Sequence, residues 1–234
     1  MPTKPKPDHR SRVGAERRER MRARLVECAL AVFAERGVGA SVIQEVIATA
    51  EVSQGTFYNY FRTNDELLAA VAEELSNELI ADIEAVVQQH EDPAMRLAVG
   101  MRLYLHRARQ FPLFARFIVG AAFHLASPNN LMYEAVPPHL QAGMASGRFR
   151  HLPIELAIDL IGGFALSAIA RMAAGEAPAG YPEQVAAVLL TALGLSPKAA
   201  ESIAQAPMER LAVPDESLIA RATARSAGAA VEAD

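Results

Sequence analysis

VSQGTFYNYF, residues Val52 to Phe61, is the stretch whose reading decides the fold. It puts two Phe and two Tyr into ten positions of a 234-residue chain that has nine Phe, five Tyr and no Trp. Ser53 is a good helix N-cap. Val52 before it and Phe57 four residues after it have the N′ and N4 spacing of a hydrophobic staple. With Phe57 at 0° and about 100° per residue, Phe61 falls at about 40°, and the two define a buried side. Gly55, Asn59 and Thr56 lie opposite at about 160°, 200° and 260°, flanked by Tyr58 at about 100° and Tyr60 at about 300°. A helix laid in a major groove presents small polar groups to base edges and longer hydroxyl-bearing groups to the phosphate walls. Gly55 permits close approach, and a helix N-terminus attracts phosphate. The segment therefore reads as facing a small core and a nucleic acid at once. The other reading of the Tyr pair is packing against neighbouring helices with exposed hydroxyls.

Upstream, Leu25, Cys28, Ala29, Val32 and Phe33 follow the i, i+3, i+4, i+7, i+8 pattern of a helix, with Gly37 and Gly39 as its stop. Cys28 lies on that stripe and reads as a packed small residue rather than a redox sensor. Ser41 with Gln44 three residues later is a capping-box start, so Gln44 is either a cap partner or a base contact. Downstream, Thr63-Asn64-Asp65-Glu66 opens a long Ala/Leu/Glu helix through about Gln89, its first-turn acids suited to the helix dipole. The middle pair of helices makes a helix-turn-helix.

Half the chain is apolar and no stretch alternates apolar with polar residues, which predicts an all-α fold. The net charge of −4 is unevenly spread: residues 1–24 carry nine Lys or Arg against three acids, and the remaining 210 carry 14 against 24. A basic end on an acidic body fits a local polyanion contact. One cysteine excludes an internal disulfide framework and fits a reducing, cytoplasmic setting. No secretory h-region follows the N-terminal charges, and the apolar run Leu160 to Ala170 is too short to span a bilayer. The expected organisation is a basic flexible arm at 1–20, a DNA-binding unit at 21–67, a helical sensing and dimerisation domain at 68–213, and a disordered tail at 214–234. Helices are expected at about 93–110, 112–126, 130–146, 153–174, 182–193 and 197–205, the first opened by Asp92-Pro93. No nucleophile–base order, phosphate-cradling Gly loop or Cys/His metal spacing is present, so neither an enzyme nor a cofactor or metal site is expected.

The run RLVECALAVFAERGVGASVIQEVIATAEVSQGTFYNYFRTNDELLAAV resembles the N-terminal domain of the tetracycline-repressor (TetR) family of bacterial regulators. Its pieces ALAVFAERG, the AxVSxGTxYxYF core and the following ELL carry the resemblance over roughly residues 20–71. The resemblance implies base-edge contacts from Gln44, Gln54, Gly55 and Thr56, with Tyr58 near base and backbone and Asn59 on the same polar face. It implies phosphate contacts from Ser53, Tyr60 and the start of the next helix at Asn64. Four departures stand out. Glu51 replaces the usual turn Gly, Ile47 a small Ala, Val42 a hydroxyl residue and Asn64 a Lys, for which Arg62 can substitute. The arginines of the arm, from Arg10 to Arg24, then become candidates for phosphate neutralisation.

The resemblance further implies a ligand-binding domain that forms a homodimer. Met101, Tyr104, Phe114, Phe117, Phe123, Tyr133 and Phe164 fall in the helices that form that family's pocket. Their adaptable Met and aromatic character suits a small apolar or aromatic effector. The helices around LPIELAIDLIGGFALSAIARMAA and YPEQVAAVLLTALGL look suited to a four-helix dimer interface through Ile161, Gly162, Ala165, Val185, Val188 and Leu189. Two reading helices would then reach successive major grooves of a pseudo-palindromic operator. The expected function is a repressor released by its ligand. An activator, a corepressor-dependent regulator and a small-molecule binder with decayed DNA binding remain alternatives.

Overall fold

The computed structural model describes residues 9–121, 130–209 and 211–232. The described residues form eleven α-helices and no strand. α1 (His9–Arg36), α2 (Ile43–Thr49) and α3 (Gln54–Tyr58) make a head, and α4 (Asn64–Val87) leads out of it. α5 (Pro93–Gln110) runs through the middle of the second layer and packs on α4, α6 (Pro112–Gly120), α7 (Met132–Ala145), α8 (Ile154–Ala173), α9 (Tyr181–Ala192) and α10 (Pro197–Ala204). α11 (Leu218–Glu232) returns to pack on α1 and α4.

Short polar side chains set several of these boundaries. Ser53, Thr63, Asp92 and Ser196 each accept a backbone N–H of the first turn they precede, satisfying donors that the helix itself leaves free. Gly37 stops α1 at a φ of 87°, where a side chain would be strained. Ser41 does not cap α2. The N-cap is Val42, whose N–H is taken by the side-chain oxygen of Asn64, 3.2 Å away. Asn64 thus ties the start of α2 to the start of α4.

Both chain ends differ from expectation. The arm is helical from His9, continuous with the packed part of α1. Its Arg/Glu/Ala-rich residues propagate an existing helix at little cost, and Arg12 pairs with Glu16 one turn on, at 3.6 Å. Residues 1–8 lie outside the described range. The tail expected to be disordered is α11, with Leu218, Ile219 and Ala222 buried. Its N-terminus is capped from a distance, since both oxygens of Glu78 accept the Leu218 N–H at 2.9 and 3.0 Å. One turn further along, Arg221 and Arg225 grip the buried carboxylate of Glu27 on α1 at 2.8 and 2.7 Å. Burial alone would raise the pKa of Glu27, but hydrogen bonds and charge from the two arginines outweigh it and hold the carboxyl below its ordinary value.

Cys28 is fully buried on α1, and desolvation raises its pKa, as suits a packing residue.

A double Arg221→Ala, Arg225→Ala variant leaves the Glu27 carboxylate covered but unpaired. Because both arginines are more than a third exposed, the expected loss is about 1–2 kcal/mol, or roughly 3–6 °C in melting temperature. A depressed carboxyl contributes stability that is present above the ordinary carboxylate range and is lost as pH falls through the depressed value. Thermal melts from neutral to acid pH should therefore show the gap between wild type and variant closing in acid.

Candidate nucleic-acid interface and ligand cavity

The head buries one side of VSQGTFYNYF and exposes the other. Phe57 and Phe61 are in the core, their rings 6.1 Å apart, and the Arg22 guanidinium stands 5.7 Å from the Phe61 ring. Gln54, Gly55 and Asn59 are exposed, Thr56 is half-buried, and Tyr58 is 42% exposed with its ring edge-on to Phe57 at 5.5 Å. A Cβ added to Gly55 would meet no atom within 4 Å, so nothing inside the chain requires glycine there. α3 ends at Tyr58, and Asn59 and Tyr60 form the turn after it, which leaves Tyr60 half-buried against the core rather than projecting as freely as Tyr58.

The other candidate contact residues divide by occupation. Gln44 is exposed on α2 and Arg62 at the turn into α4. The Ser53 hydroxyl is already engaged, accepting the Thr56 N–H at 3.1 Å and sharing a hydrogen bond with the Thr56 hydroxyl at 2.9 Å. Asn64 is committed to the Val42 N–H. Of the arm's arginines, Arg22 pairs with Glu74 and Arg24 with Glu51, whereas Arg17, Arg18 and Arg20 lie on the exposed part of α1. Glu51 sits in the left-handed region, φ 51°, where the resemblance leads one to expect Gly.

Behind the head, α4, α5, α7 and α8 enclose a cavity of about 300 Å³ whose lining is mostly apolar. Met101, Tyr104 and Tyr133 line it, as does Met132. Phe114 and Phe117 do not: both are fully buried in α6, Phe114 edge-on to Tyr104 at 5.8 Å and Phe117 against Phe33 of α1 at 6.4 Å. Phe164 is half-buried against the core without lining the cavity, and Phe123 lies outside the described residues. The polar lining residues Glu84, Arg96 and His139 carried no periodic or motif signal in the sequence. Arg102 and Arg107 of α5 are committed away from the cavity. Arg102 pairs with Glu183 at 3.4 Å and donates to the Ala206 carbonyl at 2.8 Å, and Arg107 donates to the Ala212 carbonyl at 3.4 Å.

α8 is long and apolar enough to cross a membrane by length and composition, which the eleven-residue run within it did not suggest. Only 22% of its most apolar window is buried within the chain. The residues first assigned to an interface mostly point inward. Ile161, Val185 and Leu189 are buried, and Ile161, Gly162, Ala165 and Leu189 line the cavity. Val188 is exposed at 54%, and Leu156 and Ser167 on α8 and Gln184 and Thr191 on α9 are exposed as well. The reason is helix phase: α8 is apolar nearly all round, so its sequence does not say which stripe faces its own core.

Two family descriptions match the chain: "Bacterial regulatory proteins, tetR family" over residues 25–71 and "Tetracyclin repressor-like, C-terminal domain" over residues 92–206. The ligand-free structure of RolR is 30% identical and superposes with a TM-score of 0.65 over 82% of this chain and 100% of that one. The chain belongs to the TetR family. RolR in complex with resorcinol gives a TM-score of 0.69 at 29% identity, covering 85% of this TetR-family chain and 100% of RolR. The HTH-type transcriptional repressor DhaR of Mycobacterium sp. (strain GP1) is 34% identical over 76 residues, 32% of this chain and only 38% of DhaR. A Bacillus subtilis FadR structure in complex with stearoyl-CoA, 19% identical with a TM-score of 0.58, shares the fold. Residues 207–234, α11 among them, lie beyond both matched domains.

Glu51→Gly relieves a strained φ at the cost of one exposed ion pair with Arg24. Strain of about 1 kcal/mol outweighs an exposed pair of a few tenths. The variant's melting temperature should hold or rise slightly; a fall of several degrees would show that the ion pair dominates.

Proposed function

We propose that this chain is a homodimeric, sequence-specific DNA-binding repressor that a small apolar or aromatic ligand releases from its operator. The observation that carries the reading is the two-sided α3, with Phe57 buried beneath an outward face of Gln54, Gly55 and Tyr58 that has no structural reason to be open. Gln54, Gly55 and Thr56 then meet base edges, Tyr58 and Asn59 reach base and backbone, and Tyr60, Arg62 and Gln44 add contacts at the margins. The exposed arginines of α1 supply phosphate neutralisation. The naming of DhaR as a repressor and of resorcinol as a RolR ligand supports repression and an aromatic effector.

Dimerisation through α8 and α9 accounts for the exposure of Leu156 and Val188, large apolar side chains on neighbouring helices. Release then follows from packing. A ligand in the cavity presses on Tyr104, whose ring contacts Phe114; one turn on in α6, Phe117 contacts Phe33 of the head. The edge of Gly120 on α6 leaves Val38 only 3.1 Å from where a Cβ would stand, so the head follows any shift of α6. A ligand preferring the released arrangement by about 3 kcal/mol weakens operator binding roughly a hundredfold.

The test is selection of genomic fragments by the purified protein, then titration of the best fragment at several salt concentrations. A palindromic site bound with a steep salt slope is expected. Gly55→Leu should keep the wild-type melting temperature within about 2 °C, because its side chain meets open space, yet abolish operator binding. Weak, sequence-blind binding by the wild type, or undiminished binding by Gly55→Leu, counts against the reading. Leu156→Glu combined with Val188→Glu should convert the dimer to monomer in analytical ultracentrifugation.

A further inference from the structure

Apart from Ser76, Asn130 and Asp159, the polar groups in the cavity wall gather at two stations. One is the Tyr104 hydroxyl, which makes no hydrogen bond among the described residues and whose pKa burial pushes up, so it stays a neutral donor and acceptor. The other lies on the wall that the inner chamber of about 300 Å³ shares with an outer one of about 510 Å³. Glu84, Arg96 and His139 line both chambers. His139 is buried; its Nε2 stands 3.0 and 3.1 Å from the two oxygens of Glu84, and its Nδ1 stands 3.4 Å from the Arg96 guanidinium. A guanidinium can only donate, so Nδ1 accepts and the ring proton sits on Nε2, donated to Glu84. Gln88 donates to Glu84 at 2.9 Å, and the Arg96 Nε donates to the His90 carbonyl at 2.6 Å.

That arrangement balances one positive against one negative charge and leaves capacity of both kinds. Glu84 has used three of about four lone-pair positions, and Arg96 two of its five N–H donors. A hydroxyl both donates and accepts, so it satisfies Glu84 and Arg96 together. A carboxylate can only accept and meets the Glu84 charge in an enclosed space; an ammonium can only donate and meets Arg96. The size of the cavity adds a length. Arg96 and Tyr104 are eight residues apart on α5, about 12 Å along the axis. An apolar cavity of about 150 Å³ takes one benzene ring.

We propose that the Glu84–His139–Arg96 neck is the hydroxyl-recognition subsite of the cavity, and that the ligand is an uncharged hydroxylated aromatic longer than one ring, its far end at Tyr104. The assignment rests on the ligand-release reading for its regulatory meaning. Its test is calorimetric titration of the full chain with para-hydroxybiphenyl, para-methylbiphenyl and biphenyl-para-carboxylate, in wild type and in Glu84→Gln, which keeps the shape and most hydrogen bonds. In wild type the hydroxyl compound should bind at least tenfold more tightly than the methyl compound, and the carboxylate most weakly. In Glu84→Gln the carboxylate should gain at least tenfold and the hydroxyl advantage should shrink. A neck that only ties helices together would move all three affinities in parallel, and that result, or a wild type that binds the carboxylate as well as the hydroxyl compound, or none of the three, overturns the subsite. Operator titration of the same samples separates the two readings: a hydroxyl compound that binds without weakening operator affinity supports the subsite and overturns release by it. A releasing ligand of another chemical class does the reverse.

Discussion

From Asn64 to Val87 the helical hydrogen bonds of α4 run unbroken, a rod of about 36 Å whose two ends pack in different parts of one continuous core. Leu67, Leu68 and Val71 are buried near the head, while Ile83 and Val87 wall the cavity. A rigid helix cannot move in one of these regions alone: displacement at one end appears at the other. The caps at its start tighten this constraint. Thr63 accepts the Glu66 N–H, Glu66 accepts the Arg62 N–H at 2.7 Å, and Asn64 holds the N-cap residue of α2. The helix that walls the cavity therefore also fixes where the reading pair α2 and α3 begins.

A second line of contact runs beside that rod through α6. Tyr104, Phe114, Phe117 and Phe33 alternate between elements, so the cavity wall touches the head by aromatic packing as well as by a continuous backbone. Close-packed interiors transmit displacement in discrete steps rather than absorbing it. Phe114 and Phe117 thereby join the cavity wall to the head where the sequence suggested ligand contact, and packing and ligand contact draw on the same residue types.

How much the sequence disclosed depended on whether the determining interaction was local. The caps at Ser53, Thr63 and Asp92 act within three residues, and the stripe from Leu25 to Phe33 follows one helix; all were legible. Both sides of α3 could be read from the ten residues Val52 to Phe61. Ser41 looked like a cap, yet the group that serves α2 is Asn64, in another helix. The Glu84–His139–Arg96 neck joins three helices, and no spacing within any of them announces it. The inward and outward stripes of α8 are distinguished only by what packs against them. α11 was least legible, because its Ala, Ser and Arg residues have no apolar stripe wide enough to signal a core. Its order depends on Glu27 and Glu78, far away in sequence.

That last contact has a kinetic consequence. The hydrogen bonds from Arg225 to Glu27 join residues 198 apart in sequence, close to the longest closure this chain can make. Contacts of such separation form late, after the intervening segments have ordered. As the chain leaves the ribosome the head is made first, and domains tend to fold in that order. α1 must then wait with an acidic residue facing water until the final helix arrives. The head, made before α11, thus acquires its full set of partners only after it.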